Sequence, residues 1–114
     1  SETVDLLYNY DAKEVHVRSA CPPLLYTCKY LNFSRSGSEL DLAARRAIRY
    51  LEGNSEASLD EYSNPESEKY CRMIECIRKN LNFTSLKYQN LHDMLDAVGL
   101  PHENLCTYCW NGKE

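Results

Sequence analysis

Ala12-Lys13-Glu14-Val15-His16-Val17-Arg18-Ser19-Ala20-Cys21-Pro22-Pro23, residues 12–23 of a 114-residue chain, sets the organisation of the molecule. From Glu14 to Ala20, Val15 and Val17 fall on one side and His16 and Arg18 on the other, the two-residue period of a strand with one face covered. Cys21-Pro22-Pro23 ends that strand, because a proline offers no N–H to a ladder and the residue before a proline is driven away from helix. Upstream, Val4, Leu7 and Tyr8 stand at helical spacing within Thr3–Tyr10, so the order begins helix, turn, strand. Downstream, Leu24 to Phe33 reads as an irregular, aromatic-rich loop.

Further out the pattern turns helical. Ser38-Glu39-Leu40-Asp41 has the form of a helix cap with an acid three residues on, and Leu40, Ala44, Ala47, Ile48 and Leu51 follow at helical intervals as far as Gly53. Residues 53–67 carry Ser, Asn, Glu and Asp with only Leu59 and Tyr62 as large apolar groups, and this predicts a mobile surface loop. Asn64 and Pro65 suit a cap and first helical residue, with Tyr70, Met73, Ile74, Ile77 and Leu81 as the buried stripe of the helix they open. Ser85–Tyr88 suits a short strand. Asn90 then caps a helix through Leu91, Met94, Leu95 and Val98 that Gly99 and Pro101 terminate.

One domain fills the 114 residues. With 13 Lys+Arg against 17 Asp+Glu the net charge is −4, which gives no compositional support for nucleic acid as a partner. No apolar run approaches the roughly 18 residues of a membrane-spanning helix, and the N-terminus lacks the basic start and apolar run of a secretory signal, so a soluble chain without membrane partners is expected. The sequons Asn32-Phe33-Ser34 and Asn82-Phe83-Thr84 fit a third possibility, an exported, glycosylated disulfide protein, but patterns this short arise by chance.

Chemistry is concentrated in six cysteines, about 5% of the residues and below the roughly 8–10% of a small disulfide scaffold. They stand at positions 21, 28, 71, 76, 106 and 109, and this placement favours a reducing compartment. Cys106-Thr107-Tyr108-Cys109 has the two-residue spacing that lets both sulfurs turn towards one metal centre; a redox dithiol and a chance pair are the competing readings. The redox reading is weakened because the pair follows a helix end instead of opening a helix after a strand. Cys28, in a loop after a broken strand, is placed to be aimed at the same centre. Cys71 and Cys76, about 140° apart around a helix, are poor partners for each other and, with Cys21, read as small core residues. His16, His92 and His102 read as structural or solvated, with no carboxylate or serine motif beside them in sequence. The four glycines, Gly37, Gly53, Gly99 and Gly112, are isolated and form no phosphate-cradling turn.

The stretch from Ala12 to Pro23 with Cys28 five residues later, and the ending Asp96-Ala97-Val98-Gly99-Leu100-Pro101 followed by Glu103-Asn104-Leu105-Cys106, Cys109 and Gly112, resemble the C-terminal part of glutamine amidophosphoribosyltransferase of the iron–sulfur, bacillus type. The central residues 34–67 depart from that family and read as an insertion, with 53–67 its mobile part. The resemblance implies an α/β fold: the C-terminal part of a phosphoribosyltransferase-type domain, helix-rich, with a cysteine-bearing tail. It also implies purine biosynthesis, making phosphoribosylamine from glutamine and phosphoribosyl pyrophosphate in the cytoplasm, with the catalytic cysteine and the phosphoribosyl loop both upstream, so that this segment alone is inactive.

The same resemblance implies a structural, oxygen-sensing 4Fe-4S cluster with Cys28, Cys106 and Cys109 as three of its ligands. By the same resemblance the fourth ligand falls upstream of Ser1, so the isolated segment should bind iron poorly or recruit a substitute such as Cys21. Helices that cover a sheet lying mostly upstream leave apolar faces, and the expected partners are the rest of the parent enzyme and further copies of the chain. The alternative is a small zinc or interaction module that holds its ion with Cys28, Cys106, Cys109 and one more cysteine or His102.

Overall fold

In the computed structural model, residues 2–28, 42–53 and 59–113 are described. Helix α1 (Glu2–Asn9) leads through a turn at Asp11, which has φ 72°, into strand β1 (His16–Ser19). Helix α2 (Ala43–Glu52), a short 3-10 turn (Glu61–Ser63), helix α3 (Glu68–Leu81) and strand β2 (Ser85–Tyr88) follow. The chain closes with helix α4 (Leu91–Val98), a second 3-10 turn (His102–Asn104) and the single-turn helix α5 (Tyr108–Asn111). None of the described helices is long and apolar enough to cross a membrane.

The two strands pair in parallel, with His16 opposite Ser85 and Ser19 opposite Tyr88. Parallel pairing requires a long crossover, and the segment between the strands supplies it with α2 and α3. The ladder is extended at its start, where Thr84 N donates to Val15 O at 2.7 Å and Val15 N donates to Thr84 Oγ1 at 2.9 Å. Tyr8 of α1 donates its hydroxyl to Asn82 O at 3.1 Å, fastening the first helix to the end of α3. The result is an α/β arrangement, rich in helix, around a small parallel sheet.

The core forms where the helical stripes meet the sheet. Ala44, Ala47 and Ile48 of α2, Met73 and Ile77 of α3, Leu86 of β2, and Leu25 and Tyr62 from the connections make one buried cluster. Small alanines on α2 let α3 approach closely, and Met73, wholly inaccessible, fills the space between them. Tyr70, Ile74 and Leu81 pack partly buried at its edge, whereas Leu51, expected inside, is exposed at the end of α2.

Several expectations are corrected. The anticipated cap at Ser38 and the apolar Leu40 lie outside the described residues, and the described helix starts at Ala43 without a side-chain cap. Residues 59–67, read as part of a solvated loop, contain the buried Tyr62, whose hydroxyl donates to Glu52 Oε1 at 2.5 Å. One aromatic ring therefore anchors a stretch whose composition is otherwise polar. Helix α3 is capped by Ser67, whose Oγ accepts from Tyr70 N, and not by Asn64. Asn64 Oδ1 instead accepts from Glu66 N in a turn before the helix. The three supposed core cysteines also fail that description. Cys21 and Cys71 are exposed, and Cys76 is half-buried at the core edge, its sulfur accepting from Asn80 Nδ2 at 3.6 Å.

Two outcomes follow from this packing. Met73→Ala leaves a cavity among α2, α3 and Tyr62, and a loss of about 2–5 kcal/mol in urea unfolding is expected; a loss below about 0.5 kcal/mol would contradict the core assignment. The Tyr62 hydroxyl, and then Lys69, hold the Glu52 carboxyl below its usual pKa. A carboxyl lowered on folding stabilises the native state above its unfolded pKa, and that contribution is lost as pH falls through the lowered value. Tyr62→Phe should therefore reduce the loss of stability on acidification below about pH 4.3, the ordinary glutamate value; an unchanged slope in denaturant titrations across that range would count against the Tyr62–Glu52 link.

Candidate metal centre

The segment after β1 is held from three sides. Leu25, 1% exposed, is buried beneath α2, and its carbonyl accepts from Arg45 Nη1 at 2.8 Å. The Arg45 guanidinium also lies 5.7 Å over the Tyr26 ring, a cation–π placement. The third anchor comes from the far end of the chain: Leu25 N and Tyr26 N both donate to Cys109 O, at 2.9 and 3.0 Å. The Tyr26 and Tyr108 rings pack with centroids 5.2 Å apart. Gly112 closes α5 with φ 77°, and a Cβ there would stand 2.9 Å from the Tyr26 ring, so both backbone conformation and close approach require glycine.

This docking brings four cysteines to one place. Cys21, Cys28, Cys106 and Cys109, together with Tyr108 and Trp110, line a cavity of about 560 Å³. Cys21 and Cys106 are exposed, while Cys28 and Cys109 are half-buried. Burial raises the pKa of the Cys109 thiol first, and the neighbouring charges of Cys28, Cys106 and Cys21 raise it further. Metal ligation would remove the protons of thiols gathered in this way. The indole N–H of Trp110, which also lines the cavity, is buried with no acceptor among the described residues, at a cost of about 1–3 kcal/mol. Soft sulfur donors around an open cavity fit a metal–sulfur group.

The sulfurs are not drawn into the spacing of a single ion. A tetrahedron of Zn–S bonds about 2.3 Å long sets its sulfurs roughly 3.8 Å apart. Among the described residues, the group arranged tightly enough for one ion is His92, Asp96 and His102, whose ligand atoms lie within 4.8 Å of one another. His102 Nε2 is 2.7 Å from Asp96 Oδ1, His92 Nε2 is 3.4 Å from Asp96 Oδ2, and the two rings meet edge to face at 5.1 Å. His102 belongs to this exposed surface group and is not among the residues lining the cysteine cavity.

The expectation that the histidines lack carboxylate neighbours is thus corrected. His92 and Asp96 are one helical turn apart, a spacing visible in the sequence, whereas the arrival of His102 depends on the 3-10 turn after Pro101. His16 also has partners, with Nε2 3.0 Å from Glu14 Oε2 and Nδ1 2.6 Å from Ser85 Oγ. The Ser85 hydroxyl accepts from Arg18 Nη1 at 2.9 Å as well. These side chains form a polar row across the strand pair, in register with the His16–Ser85 pairing, and none of them lines the cysteine cavity.

Nearly the whole chain is similar to one kind of enzyme. Amidophosphoribosyltransferases from Mycobacterium bovis and Mycobacterium tuberculosis are each 28% identical to it over 110 residues, 96% of this chain. The chloroplastic amidophosphoribosyltransferase of Glycine max is 31% identical over 113 residues, and that of Methanothermobacter thermautotrophicus 23% over 109. The chain spans only 15–17% of the length of these relatives. No family model and no solved structure matches it.

The seat of the tail beneath Tyr26 is directly testable, because Trp110 is the single tryptophan. Gly112→Ala forces a side chain into left-handed backbone and against the ring, and a loss of about 1–2 kcal/mol is expected. Tryptophan emission should shift towards that of a solvated indole and the tail should become easier to cleave in limited proteolysis; a variant with unchanged emission and cleavage would refute the docking.

Proposed function

We propose that this chain is a C-terminal segment of an amidophosphoribosyltransferase, a transferase that makes phosphoribosylamine from glutamine and phosphoribosyl pyrophosphate in purine biosynthesis, in the cytoplasm. In this reading the segment has a phosphoribosyltransferase-type fold, carries no catalytic residues and is inactive alone. It holds a structural 4Fe-4S cluster through Cys28, Cys106 and Cys109. The observation that carries the reading is a coincidence of two kinds: similarity to the enzyme along almost the entire chain, and the presence of Cys28, Cys106 and Cys109 in the lining of one cavity.

The chain's own residues account for what such a centre needs. Leu25 and Tyr26 fix the backbone next to Cys28 by donating to the Cys109 carbonyl, and Arg45 holds the same turn from α2. Each thiol gives up its proton to solvent as it becomes a ligand. When bound, the cluster would supply a covalent staple between the loop after β1 and the tail. Leu6, Leu7, Tyr10, Val98 and Leu100 are exposed, and we assign their covering to the remainder of the enzyme and to further copies of the chain.

Anaerobic reconstitution with ferrous iron and sulfide tests the reading. Uptake of iron with matching acid-labile sulfide is expected, and should be lost in Cys106→Ala and Cys109→Ala. Zinc bound without sulfide would favour a zinc module instead, and iron uptake insensitive to both substitutions would contradict the assignment.

A further inference from the structure

His92, Asp96 and His102 are a second set of donors, and the proposed function leaves them unused. His92 and Asp96 stand one turn apart on α4, and His102 returns to the same face from the 3-10 turn after Pro101. The Asp96 carboxylate lies between the two imidazoles, with Oδ1 2.7 Å from His102 Nε2 and Oδ2 3.4 Å from His92 Nε2. The rings meet at 77°, and one ligand atom from each of the three residues lies within 4.8 Å of the others. Bonds of about 2.0–2.2 Å from zinc to nitrogen and oxygen set tetrahedral ligands roughly 3.3–3.6 Å apart, so small side-chain movements close these donors on one ion. The backbone beneath them is held. Asn90 Oδ1 accepts from His92 N at 2.8 Å and from Asp93 N at 3.3 Å, which fixes the first turn of α4. Asn104 N donates to Pro101 O at 3.0 Å and Leu105 N to His102 O at 3.1 Å, which closes the turn that carries His102. An ion pair on a surface needs one imidazole; here two converge on opposite oxygens of one carboxylate.

We propose that His92, Asp96 and His102 bind one zinc ion, through Nε2 of each histidine and a carboxylate oxygen, with water completing a four-coordinate site. The inference is independent of the iron–sulfur reading, because none of the three residues lines the cysteine cavity. Imidazole and carboxylate donors suit zinc, which also stands above ferrous iron in the affinity order of such sites. A carboxylate only accepts, so His102 Nε2 presents a proton to Asp96 that the ion displaces. In the loaded site each imidazole keeps one proton, on Nδ1, and any excess proton leaves to solvent; no oxidation state changes. All three residues are exposed, so the ion exchanges freely with solvent and works as a clip. It ties α4 to the turn that leads into Cys106 and the tail, and it stabilises that arrangement by binding it in preference to the unfolded chain.

The chain has only three histidines, so their ring resonances report the site directly. The full chain, labelled at histidine and kept reduced with a phosphine, is titrated with zinc sulfate and followed by NMR. The rings of His92 and His102 should shift together with one midpoint, while the ring of His16, which pairs with Glu14 and Ser85 elsewhere, stays still. His92→Ala should weaken zinc binding at His102 by at least about 10-fold, the least that loss of an outer-shell partner costs. Asp96→Asn should act in the same direction, and His16→Ala should change nothing. Unchanged tryptophan emission in these exposed-residue variants separates loss of a ligand from misfolding. Zinc taken up by the cysteines leaves the imidazole resonances where they are, so the outcome is read apart from that centre. Separate midpoints for His92 and His102, indifference of His102 to His92→Ala, equal shifts of all three histidines, or no shift in excess zinc would each overturn the site.

Discussion

Two hydrogen bonds to a single carbonyl hold the candidate centre together. Cys109 O accepts from Leu25 N and Tyr26 N, and through it the tail is docked on the loop that leaves the first strand. Each such bond is worth only about 0.5–1.5 kcal/mol net. Their effect is positional: they join segments remote in the chain, and the Tyr26–Tyr108 contact and the glycine at 112 fix how closely these approach. Leu25 carries the constraint into the core, since its side chain is buried among Ala44, Ala47 and Ile48 while its backbone faces the tail. The fold positions the cysteines from behind, through a hydrophobic anchor, and from above, through the tail's own carbonyl.

The same arrangement separates two kinds of metal chemistry on one small molecule. The cysteines surround a cavity and are spread wider than a single ion requires, which suits a larger inorganic group. The His92–Asp96–His102 group is compact, exposed and made of harder donors, which suits a lone divalent cation or simply a surface ion pair. Electrostatics reinforces the contrast. A metal group bound by these cysteines would have to offset the negative charge of its thiolate ligands.

Much of this was legible in the sequence because local rules and tertiary packing agree. Period-two alternation found β1, Gly53 and Gly99 ended their helices in left-handed conformation, and Asn90 capped α4 by accepting from His92 N and Asp93 N. The reading failed where a single residue outweighed its neighbours. Tyr62 is one ring in a polar stretch, and no composition window registers that it will join the core cluster. Ser67 displaced Asn64 as the cap because Asn64 is used in its own turn. Burial of cysteine is a tendency of the residue type, and Cys21 and Cys71 are exposed because their backbone positions face outward. At the candidate centre, the Cys106–Cys109 spacing and the loop position of Cys28 are sequence signals, and the structure places all three in the lining of one cavity. The role of Cys109 O had no signature, since every residue carries a carbonyl.

In the proposed reading, sulfurs from the loop after β1 and from the tail surround one iron–sulfur group. X-ray absorption at the iron edge of the anaerobically reconstituted chain reads that environment directly. A first shell of sulfur alone, with a strong iron–iron component from neighbouring metals, is the predicted spectrum. A shell dominated by nitrogen and oxygen, without iron–iron scattering, would place the metal on surface groups such as His92, Asp96 and His102 and would contradict the account.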